Sequence, residues 1–310
     1  MTTAPPLIVV AGPTATGKTE FAIALAETLI GRGRPTEIIS ADSRQVFRGL
    51  DIGTAKASAA DRARVRHHGI DLVDPDGPFS VADFVTHTAA VLADLQHRDG
   101  IAILAGGTGL YLRAVARGID TDALPSDPVV RARLEAALLG DGLGPLAARL
   151  TAIAPGLAQT VDLRNPRRVV RALEIAEIRG DAPRPPARGY PGPVVWLGLD
   201  LDAEGHAARV AERARAQFDA GLVQEARELR ERFDPELPAF SAIGYHEAWA
   251  VLDGRLSRDA AIELDAQRTG AFAKRQRTWF RGEREIAWLP AGTDAATIVE
   301  SGQLSLVLGD

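Results

Sequence analysis

The chain contains no cysteine among its 310 residues, which excludes disulfides, thiolate metal sites and cysteine nucleophiles. Aromatic residues make up only 5% of the sequence, and no apolar run is long enough for a membrane span or a signal peptide. Positive charge is not in excess, because the formal net charge is −5 at pH 7, so any contact with nucleic acid would need local basic patches. A hydrophobic content of 46% predicts one large folded domain or two smaller ones, and we expect the chain in the cytoplasm.

The most informative stretch fits the phosphate-loop pattern G-x-x-x-x-G-K-[ST] and consists of Gly12, Pro13, Thr14, Ala15, Thr16, Gly17, Lys18 and Thr19. The apolar run Leu7–Ala11 before it predicts a buried strand, and apolar residues at helical spacing follow it. In that context the glycines let backbone N–H groups point inward at a helix start. Lys18 supplies a positive charge, and Thr19 supplies a hydroxyl for a hydrated Mg²⁺. We call residues 12–19 the phosphate loop and predict that it binds a phosphate or diphosphate, whether of ATP, GTP or another compound.

Asp42 stands directly after the second predicted strand, residues 36–41, and is followed by Ser43, Arg44 and Gln45. Ligands of open parallel sheets lie beyond the carboxyl ends of the strands, so we expect Asp42 and the phosphate loop to share one crevice. A carboxylate at that place can hold Mg²⁺ through water or accept a proton. The alternative is a helix N-cap, since Asp after a strand often caps the helix that follows.

The third buried strand is predicted at residues 101–105, and it lacks the Asp with which such a strand commonly ends in a nucleotide hydrolase. It continues instead into Gly106, Gly107 and Thr108. This difference disfavours an ordinary ATPase. It also places backbone N–H groups and the Thr108 hydroxyl where phosphate oxygens would lie.

The character of the chain changes at about residue 118. Three helical patterns follow, at residues 129–139, 143–150 and 166–178. Residues 181–193 are rich in Pro, Gly and Arg and are predicted to be a linker, after which a strand pattern returns. We therefore predict an α/β core formed by residues 1–117 and 194–310, interrupted by a helical insertion at residues 118–193.

Two basic stretches are candidates for contact with an anionic partner. Arg164, Arg167, Arg168 and Arg171 crowd the start of the third predicted helix of the insertion, where the helix dipole disfavours cations. Basic and aromatic residues are interleaved in residues 274–281, an arrangement that can contact phosphates and stack on bases. In both stretches the alternative is a solvated helix face whose side-chain stems cover apolar surface.

Taken in order, the motifs resemble those of bacterial tRNA dimethylallyltransferases, also called tRNA isopentenyltransferases. Besides the phosphate loop, the matching signatures are Asp42-Ser43-Arg44-Gln45, Asp51-Ile52-Gly53-Thr54-Ala55-Lys56, Ser80-Val81-Ala82-Asp83-Phe84, Gly106-Gly107-Thr108-Gly109-Leu110-Tyr111, Asn165-Pro166-Arg167-Arg168-Val169, Ile243-Gly244-Tyr245 and Lys274-Arg275-Gln276. The phosphate loop alone is generic, whereas the ordered set is highly specific. The departures are small: Phe47 stands where the family often has Tyr, and Ala57 replaces a common Pro.

The resemblance implies a P-loop NTPase-like α/β core, with a parallel β-sheet flanked by helices, and a helical insertion domain that contacts tRNA. It implies transfer of a dimethylallyl group from dimethylallyl diphosphate to N6 of the adenosine immediately 3′ of the anticodon, in tRNAs that read codons beginning with U. The expected partners are the tRNA anticodon stem-loop and dimethylallyl diphosphate, and the expected cofactor is Mg²⁺. A monomer is expected, with neither a membrane nor a stable protein partner.

The resemblance also implies roles for individual residues. Asp42 would act as the base, while Lys18, Thr108 and Arg131 would stabilise charge on the leaving diphosphate. The phosphate loop would bind that diphosphate, with the Thr19 hydroxyl on the metal. The expected tRNA contacts are Asp42, Ser43, Arg44, Gln45, Thr108, Arg131, Asn165, Pro166, Arg167, Arg168, Val169, Ser241, Ala242, Ile243, Gly244, Tyr245, His246, Lys274 and Arg275.

Other functions remain alternatives at this point. An ATP-dependent small-molecule kinase would explain the phosphate loop, but neither the missing strand-end Asp nor the basic insertion. A non-catalytic RNA-binding GTPase or ATPase would leave Asp42 without a role, and the chain carries no Asn-Lys-x-Asp guanine signature. A dimethylallyltransferase acting on free adenylate would not need the insertion or the basic pair Lys274 and Arg275.

Overall fold

The computed structural model describes residues 4–121, 125–182 and 186–309. Contacts within the chain divide it into two compact units. The core unit comprises Met1–Gly118 and Gly189–Asp310, and the helical unit comprises Ile119–Arg188. The linker predicted at residues 181–193 includes residues 183–185, which lie outside the described residues.

The core unit is built on a six-stranded sheet whose strand pairs are all parallel. Its strands are β1 (Leu7–Ala11), β2 (Thr36–Ser40), β3 (His67–His68), β4 (Ile101–Gly106), β5 (Val194–Asp200) and β6 (Ala287–Pro290). Across the sheet they follow the order β3-β2-β4-β1-β5-β6, so β1 lies between β4 and β5. The carboxyl ends of β1, β2 and β4 therefore open on the same edge of the sheet, where ligands of parallel sheets bind.

Helices connect these strands and cover the sheet, which confirms the predicted α/β fold with a parallel sheet flanked by helices. The first four are α1 (Lys18–Gly31), α2 (Ala59–Arg64), α3 (Val81–His97) and α4 (Gly109–Ala116). Helix α3 has the bounds that its apolar spacing predicts, and Ser80 and Asp83 form a capping box at its start. The sequence pattern does not predict α2, because six residues are too few to display helical periodicity.

The helical unit contains α5 (Pro128–Asp141), α6 (Leu143–Ile153), α7 (Pro155–Thr160) and α8 (Pro166–Arg179). Three of these correspond to the three predicted helical patterns, and the six-residue α7 is the one that the pattern does not predict. The unit has its own apolar centre, in which Leu134, Leu150 and Leu173 are buried. A core of this kind allows the unit to fold around its own side chains.

The second part of the core unit is mostly helical. It contains α9 (Ala203–Asp219), α10 (Leu222–Arg232), α11 (Tyr245–Leu252), α12 (Arg258–Phe280), α13 (Ala295–Glu300) and α14 (Ser305–Leu308). Helices α9 and α12 pack against each other, and this pair carries several side chains of the site described below. Among the described helices, none combines the length and apolar character that a membrane span requires.

The sheet has an apolar layer on each face, because side chains alternate along its buried strands. In β1, Leu7 and Val9 pack into one layer, whereas Ile8 and Val10 pack into the other. A strand buried on both faces appears in the sequence as a continuous apolar run, which is the pattern seen in residues 7–11.

Candidate active site

The phosphate loop lies where its motif predicts, between the end of β1 and the first turn of α1. Gly12 and Gly17 have φ angles of 141° and 85°, which residues with a side chain rarely adopt. Ala15 also has a positive φ, 63°, so the loop contains one left-handed residue that does carry a side chain. No side chain of the described residues caps the start of α1, and its first backbone N–H groups are therefore left for an anion.

Lys18 folds back over the loop, and its Nζ donates a hydrogen bond to the carbonyl oxygen of Pro13 at 2.5 Å. The pKa of Lys18 is lowered to about 7, mainly because the ammonium group is removed from water and secondly because Arg213 lies near it. The Asp42 carboxylate acts on this pKa in the opposite direction. An anion bound in the loop would favour the charged ammonium form, so the loop is prepared for negative charge.

Asp42 follows β2 and is half-buried at the edge of the sheet. Its Oδ1 accepts a hydrogen bond from the backbone N–H of Arg44 at 2.8 Å. The structure describes residues 41–58 in full, and no helix begins among them, so the helix N-cap alternative for Asp42 is wrong. The carboxylate orders a short turn with one oxygen, and the side chain lines the cavity described below.

Thr108 follows β4 and connects this strand to the residues around Asp42. Its backbone N–H donates to the carbonyl oxygen of Ala41 at 3.1 Å. Its Oγ1 accepts a hydrogen bond from the backbone N–H of Ser43 at 3.0 Å, which leaves the hydroxyl proton free to be donated to a ligand. The predicted neighbourhood of Asp42 and Thr108 therefore exists in the core unit.

These loops surround a cavity of about 510 Å³, a volume that includes space open to solvent. It is lined by Thr14, Lys18, Thr19, Ser40, Asp42, Gln45, Thr54, Ala55, Ala105, Gly106, Gly107, Arg213, Phe272 and Gln276. An ammonium and a guanidinium group line it together with one carboxylate, so an anion and a neutral group that loses a proton can be held side by side.

The sequence analysis assigns no role to three side chains at this site: His206 and Arg213 on α9, and Gln276 on α12. His206 and Arg213 are seven residues apart, two helical turns, and therefore lie on one face of α9. Arg213 donates to the Thr14 hydroxyl at 2.8 Å, and burial lowers its pKa while Asp42 and Asp265 act against that effect. The seven-residue spacing along α9 is the signal that could have related His206 to Arg213. Gln276 belongs to a matched motif, but the motif by itself suggests no role for this side chain.

The predicted tRNA contacts in the core unit have different exposures. Lys274, Arg275, Ser241 and His246 are exposed, while Ser43, Arg44, Gln45, Thr108 and Ile243 are partly exposed. Gln45 accepts from the Ser40 hydroxyl at 2.7 Å and donates to the carbonyl oxygen of Thr54 at 3.1 Å, so it supports the cavity wall.

Three of the predicted tRNA contacts, Ala242, Gly244 and Tyr245, are buried, so in this structure they present no surface to tRNA. Tyr245 is fully buried in the core and donates its hydroxyl to Glu225 at 2.7 Å. Glu225 in turn accepts hydrogen bonds from the backbone N–H groups of residues 51–53. Tyr245 therefore stabilises this loop through Glu225. Gly244, at a φ of 107°, provides the turn that precedes α11.

The remaining predicted residues lie in the helical unit. Arg131 donates to the buried Glu174 carboxylate at 2.8 Å, and Arg167 and Arg168 are exposed at the start of α8. Pro166 occupies the first turn of α8, and the Asn165 side chain caps this helix by accepting the N–H of Arg168 at 3.2 Å. Val169 is fully buried in the unit, so a tRNA contact through its side chain is wrong.

The fold and the cavity define a class of protein: a phosphate-loop α/β protein whose site places a carboxylate beside the phosphate loop. Comparison with known proteins identifies the family. The sequence profile of the IPP transferase family matches residues 45–283. The tRNA dimethylallyltransferase of Bordetella avium is 42% identical over 306 residues, which cover 95% of this chain and 96% of that protein. That of Thermus thermophilus is 41% identical over 94% of this chain and 94% of its own length.

A solved structure agrees with these similarities. The crystal structure of the full-length tRNA isopentenylpyrophosphate transferase from Bacillus halodurans superposes with a TM-score of 0.70 at 34% identity, covering 98% of each chain. A eukaryotic dimethylallyltransferase acting on tRNA has the same fold, with a TM-score of 0.75 at 22% identity. The chain belongs to the tRNA dimethylallyltransferase family, which confirms the resemblance drawn from its motifs.

Proposed function

We propose that this protein transfers a dimethylallyl group from dimethylallyl diphosphate to N6 of an adenosine in tRNA. The observation that carries the proposal is the meeting of Lys18 and Asp42 at one cavity, between the phosphate loop and the loop after β4. In the reaction the allylic C–O bond breaks, a C–N bond forms at N6, and diphosphate leaves. The amine loses one proton, which the Asp42 carboxylate can accept.

The phosphate loop and its cations stabilise the leaving group. Negative charge develops on the diphosphate oxygens as the C–O bond breaks, and the N–H groups at the start of α1 point to that charge. Lys18 and Arg213 add positive charge from two sides of the same cavity. Because their positions are set before the substrate binds, little reorganisation is needed during the reaction.

Mg²⁺ is the proposed cofactor, and the residues present fit it. Thr19 is exposed at the start of α1 and lines the cavity, where its hydroxyl can bind the ion. Within residues 4–121, 125–182 and 186–309, no group of three or more His, Cys, Asp or Glu side chains forms a metal site. This suits Mg²⁺, which commonly keeps waters and is held by few protein ligands together with substrate phosphates. When bound, the ion would supply further positive charge to the diphosphate.

Asp42 and Thr108 are proposed to receive the adenine. An exocyclic N6 is a weak nucleophile, because its lone pair is delocalised into the ring, and a carboxylate that orients it and takes its proton assists the attack. The Oδ1 atom of Asp42 is engaged by the backbone of Arg44, which leaves Oδ2 as the oxygen that can accept the proton. The Thr108 hydroxyl can donate to a ring nitrogen or to a diphosphate oxygen.

The specificity proposed for this chain is the adenosine immediately 3′ of the anticodon, in tRNAs that read codons beginning with U. That base is stacked in the loop and has to leave the stack before it can reach the cavity. Arg167 and Arg168 on the helical unit, and Lys274 and Arg275 on α12, are exposed cations suited to phosphate contacts. Arg131 is proposed to act on the diphosphate, and its present partner Glu174 would have to release it.

One transfer experiment tests the proposal. The protein is incubated with radiolabelled dimethylallyl diphosphate and Mg²⁺, together with tRNA, AMP or ATP. Label should appear in tRNA, at one adenosine beside the anticodon, and in neither nucleotide. Label in AMP or ATP would show a free-adenylate transferase, and label in none of the three acceptors would exclude the transfer to tRNA; either result contradicts the proposal.

A further inference from the structure

All three polar groups of one phosphate-loop residue, Thr14, are held by side chains from distant helices. Its backbone N–H donates to Gln276 Oε1, its carbonyl oxygen accepts from His206 Nε2, and its hydroxyl accepts from Arg213, each at 2.8 Å. We call His206, Arg213 and Gln276 the Thr14 clamp. His206 and Gln276 are buried, with 6% and 8% of their surfaces exposed, so these bonds are shielded from water.

One residue of the clamp, His206, is held in place by a further contact. His206 Nδ1 accepts a hydrogen bond from Arg277 at 3.2 Å, and since arginine can only donate, the ring must carry its proton on Nε2. Arg277 is bound to the Asp200 carboxylate at the end of β5, at 2.7 Å. The contacts from Asp200 at the end of β5 through Arg277 therefore determine that Nε2 of His206 carries the proton donated to Thr14.

Gln276 also reaches the opposite wall of the cavity. Its Nε2 donates to the carbonyl oxygen of Gly107 at 2.9 Å, and Gly107 directly precedes Thr108. One side-chain amide thus spans the phosphate loop and the loop after β4. The amide therefore links the phosphate loop to the residue that precedes Thr108.

The backbone of the loop explains why such support is needed. Ala15, the residue after Thr14, has a φ of 63°, a left-handed conformation that is unfavourable for a residue with a side chain. Conformations of this kind persist where surrounding contacts over-determine them. Without the clamp, the loop could relax and turn its N–H groups away from a diphosphate.

We infer that His206 and Gln276 are positioning residues of the diphosphate site: they hold Thr14 so that the neighbouring loop amides face the leaving group, and Gln276 also links this loop to the one that carries Thr108. This inference rests on the proposed function for its kinetic consequence, but the binding of diphosphate by the loop does not depend on any transfer to tRNA.

The test measures the affinity for inorganic diphosphate with Mg²⁺ by calorimetry, using the whole protein. Gln276→Leu removes both bonds of the amide, and we expect it to raise the Kd about 10-fold. The rate of single-turnover transfer at saturating donor should fall on the order of 10–100-fold, because misplacement by about 1 Å has effects of this size. His206→Leu should weaken diphosphate binding similarly, whereas His206→Gln, which keeps an N–H donor, should bind within about threefold of wild type.

Gln217→Leu is the matched control. Gln217 is another buried glutamine, on α9, and it donates to the carbonyl oxygens of Ile52 at 2.6 Å and Gly53 at 2.9 Å rather than to the phosphate loop. It should lower the melting temperature about as much as Gln276→Leu and leave the diphosphate Kd within about twofold of wild type.

The inference is overturned if Gln276→Leu and His206→Leu bind diphosphate like the wild type, or if Gln217→Leu weakens binding equally. Should Gln276→Leu fail to fold, the His206→Leu and His206→Gln pair decides the question alone. A wild-type protein that transfers no label to tRNA would contradict the proposed function, while the diphosphate titrations would still decide the role of the clamp.

Discussion

The hydroxyl oxygen of Thr108 accepts the backbone N–H of Ser43 at 3.0 Å, which binds the loop after β4 to the residue that follows Asp42. A second bond, from the Thr108 N–H to the carbonyl oxygen of Ala41 at 3.1 Å, holds the other side of Asp42. Thr108 therefore holds the backbone on both sides of Asp42, and the Arg44 N–H holds the carboxylate itself. This rigidity is what a general base needs, because proton transfer requires a maintained geometry.

The first prediction concerns Asp42. Asp42→Asn keeps the size of the side chain and an oxygen for the Arg44 N–H, but it removes the group that accepts a proton. We expect single-turnover transfer to tRNA to fall on the order of 10²–10⁴-fold, with the affinities for donor and tRNA and the melting temperature close to wild type. Full activity would refute the role as base. Weak donor binding that extra Mg²⁺ restores would show instead that Asp42 holds the metal.

The second prediction is a pH dependence caused by Lys18. Its pKa of about 7 in the free protein means that the ammonium form is lost as the pH rises through 7. We expect kcat/KM for dimethylallyl diphosphate to fall above about pH 7, while kcat, which reports the donor complex, should stay level to higher pH because the bound anion raises the pKa.

The control for this prediction is Lys18→Ala, in which turnover should fall on the order of 10²–10³-fold and the alkaline decline should vanish. A decline that persists in Lys18→Ala would assign the titration to another group. Unchanged turnover of this variant at saturating donor would exclude Lys18 from stabilising the leaving group.

The third prediction concerns Asp265 of α12, which is only 2% exposed and has one carboxylate oxygen without a hydrogen-bond partner among the described residues. Burial raises its pKa to about 6, and Glu247 adds to this effect, while Thr269, Arg213 and Arg268 oppose it. In the folded protein Asp265 therefore keeps its proton up to about pH 6, whereas in the unfolded chain it loses the proton near pH 3.8. Because the unfolded chain ionises more easily, the free energy of unfolding falls as the pH rises between these values.

Asp265→Asn should remove this cost. We expect the melting temperature to exceed that of the wild type by roughly 5 °C above pH 6, and the difference to shrink as the pH falls towards 4. Glu263→Gln, an exposed acid on the same helix, should show no such pH-dependent gain. A variant that is destabilised at pH 7.5 would show that the ionised carboxylate is needed, as a partner of Arg213 for example.

The fourth prediction concerns the salt dependence of tRNA binding. The affinity should fall steeply with salt although the protein carries a net charge of −5, because local cations displace the counterions of the RNA. The salt slope is the slope of the logarithm of the binding constant against the logarithm of the salt concentration. Replacing Lys274 and Arg275 by alanine should lower its magnitude by about one for each phosphate that these side chains neutralise. Filter binding or fluorescence anisotropy at several salt concentrations would measure it.

The control removes the same charge elsewhere. The control is the double variant Arg32→Ala with Arg34→Ala. Both residues lie beyond the C-terminal end of α1, roughly 20 Å from the phosphate loop along the 14-residue helix. The salt slope should be unchanged in this double variant. An unchanged slope in the Lys274 and Arg275 variant would mean that these cations form a solvated helix face.

The sequence by itself determined the parts of this protein that depend on local structure. A phosphate loop requires only that a strand, glycines and a helix follow one another, and these lie within residues 7–31. Asp42 and the phosphate loop could be placed in one crevice because the carboxyl ends of neighbouring parallel strands share an edge. The ordered motifs identified the family for the same reason, since they are read residue by residue along the chain.

Only the tertiary structure decided which side chains act together and which are buried. Tyr245 and Val169 belong to matched motifs, yet both are buried, because burial depends on packing between elements and not on the motif. Thr14 is held by His206 and Gln276, which lie 192 and 262 residues further along the chain. No periodicity or spacing encodes such a contact, because it exists only after α9 and α12 have packed together at the edge of the sheet.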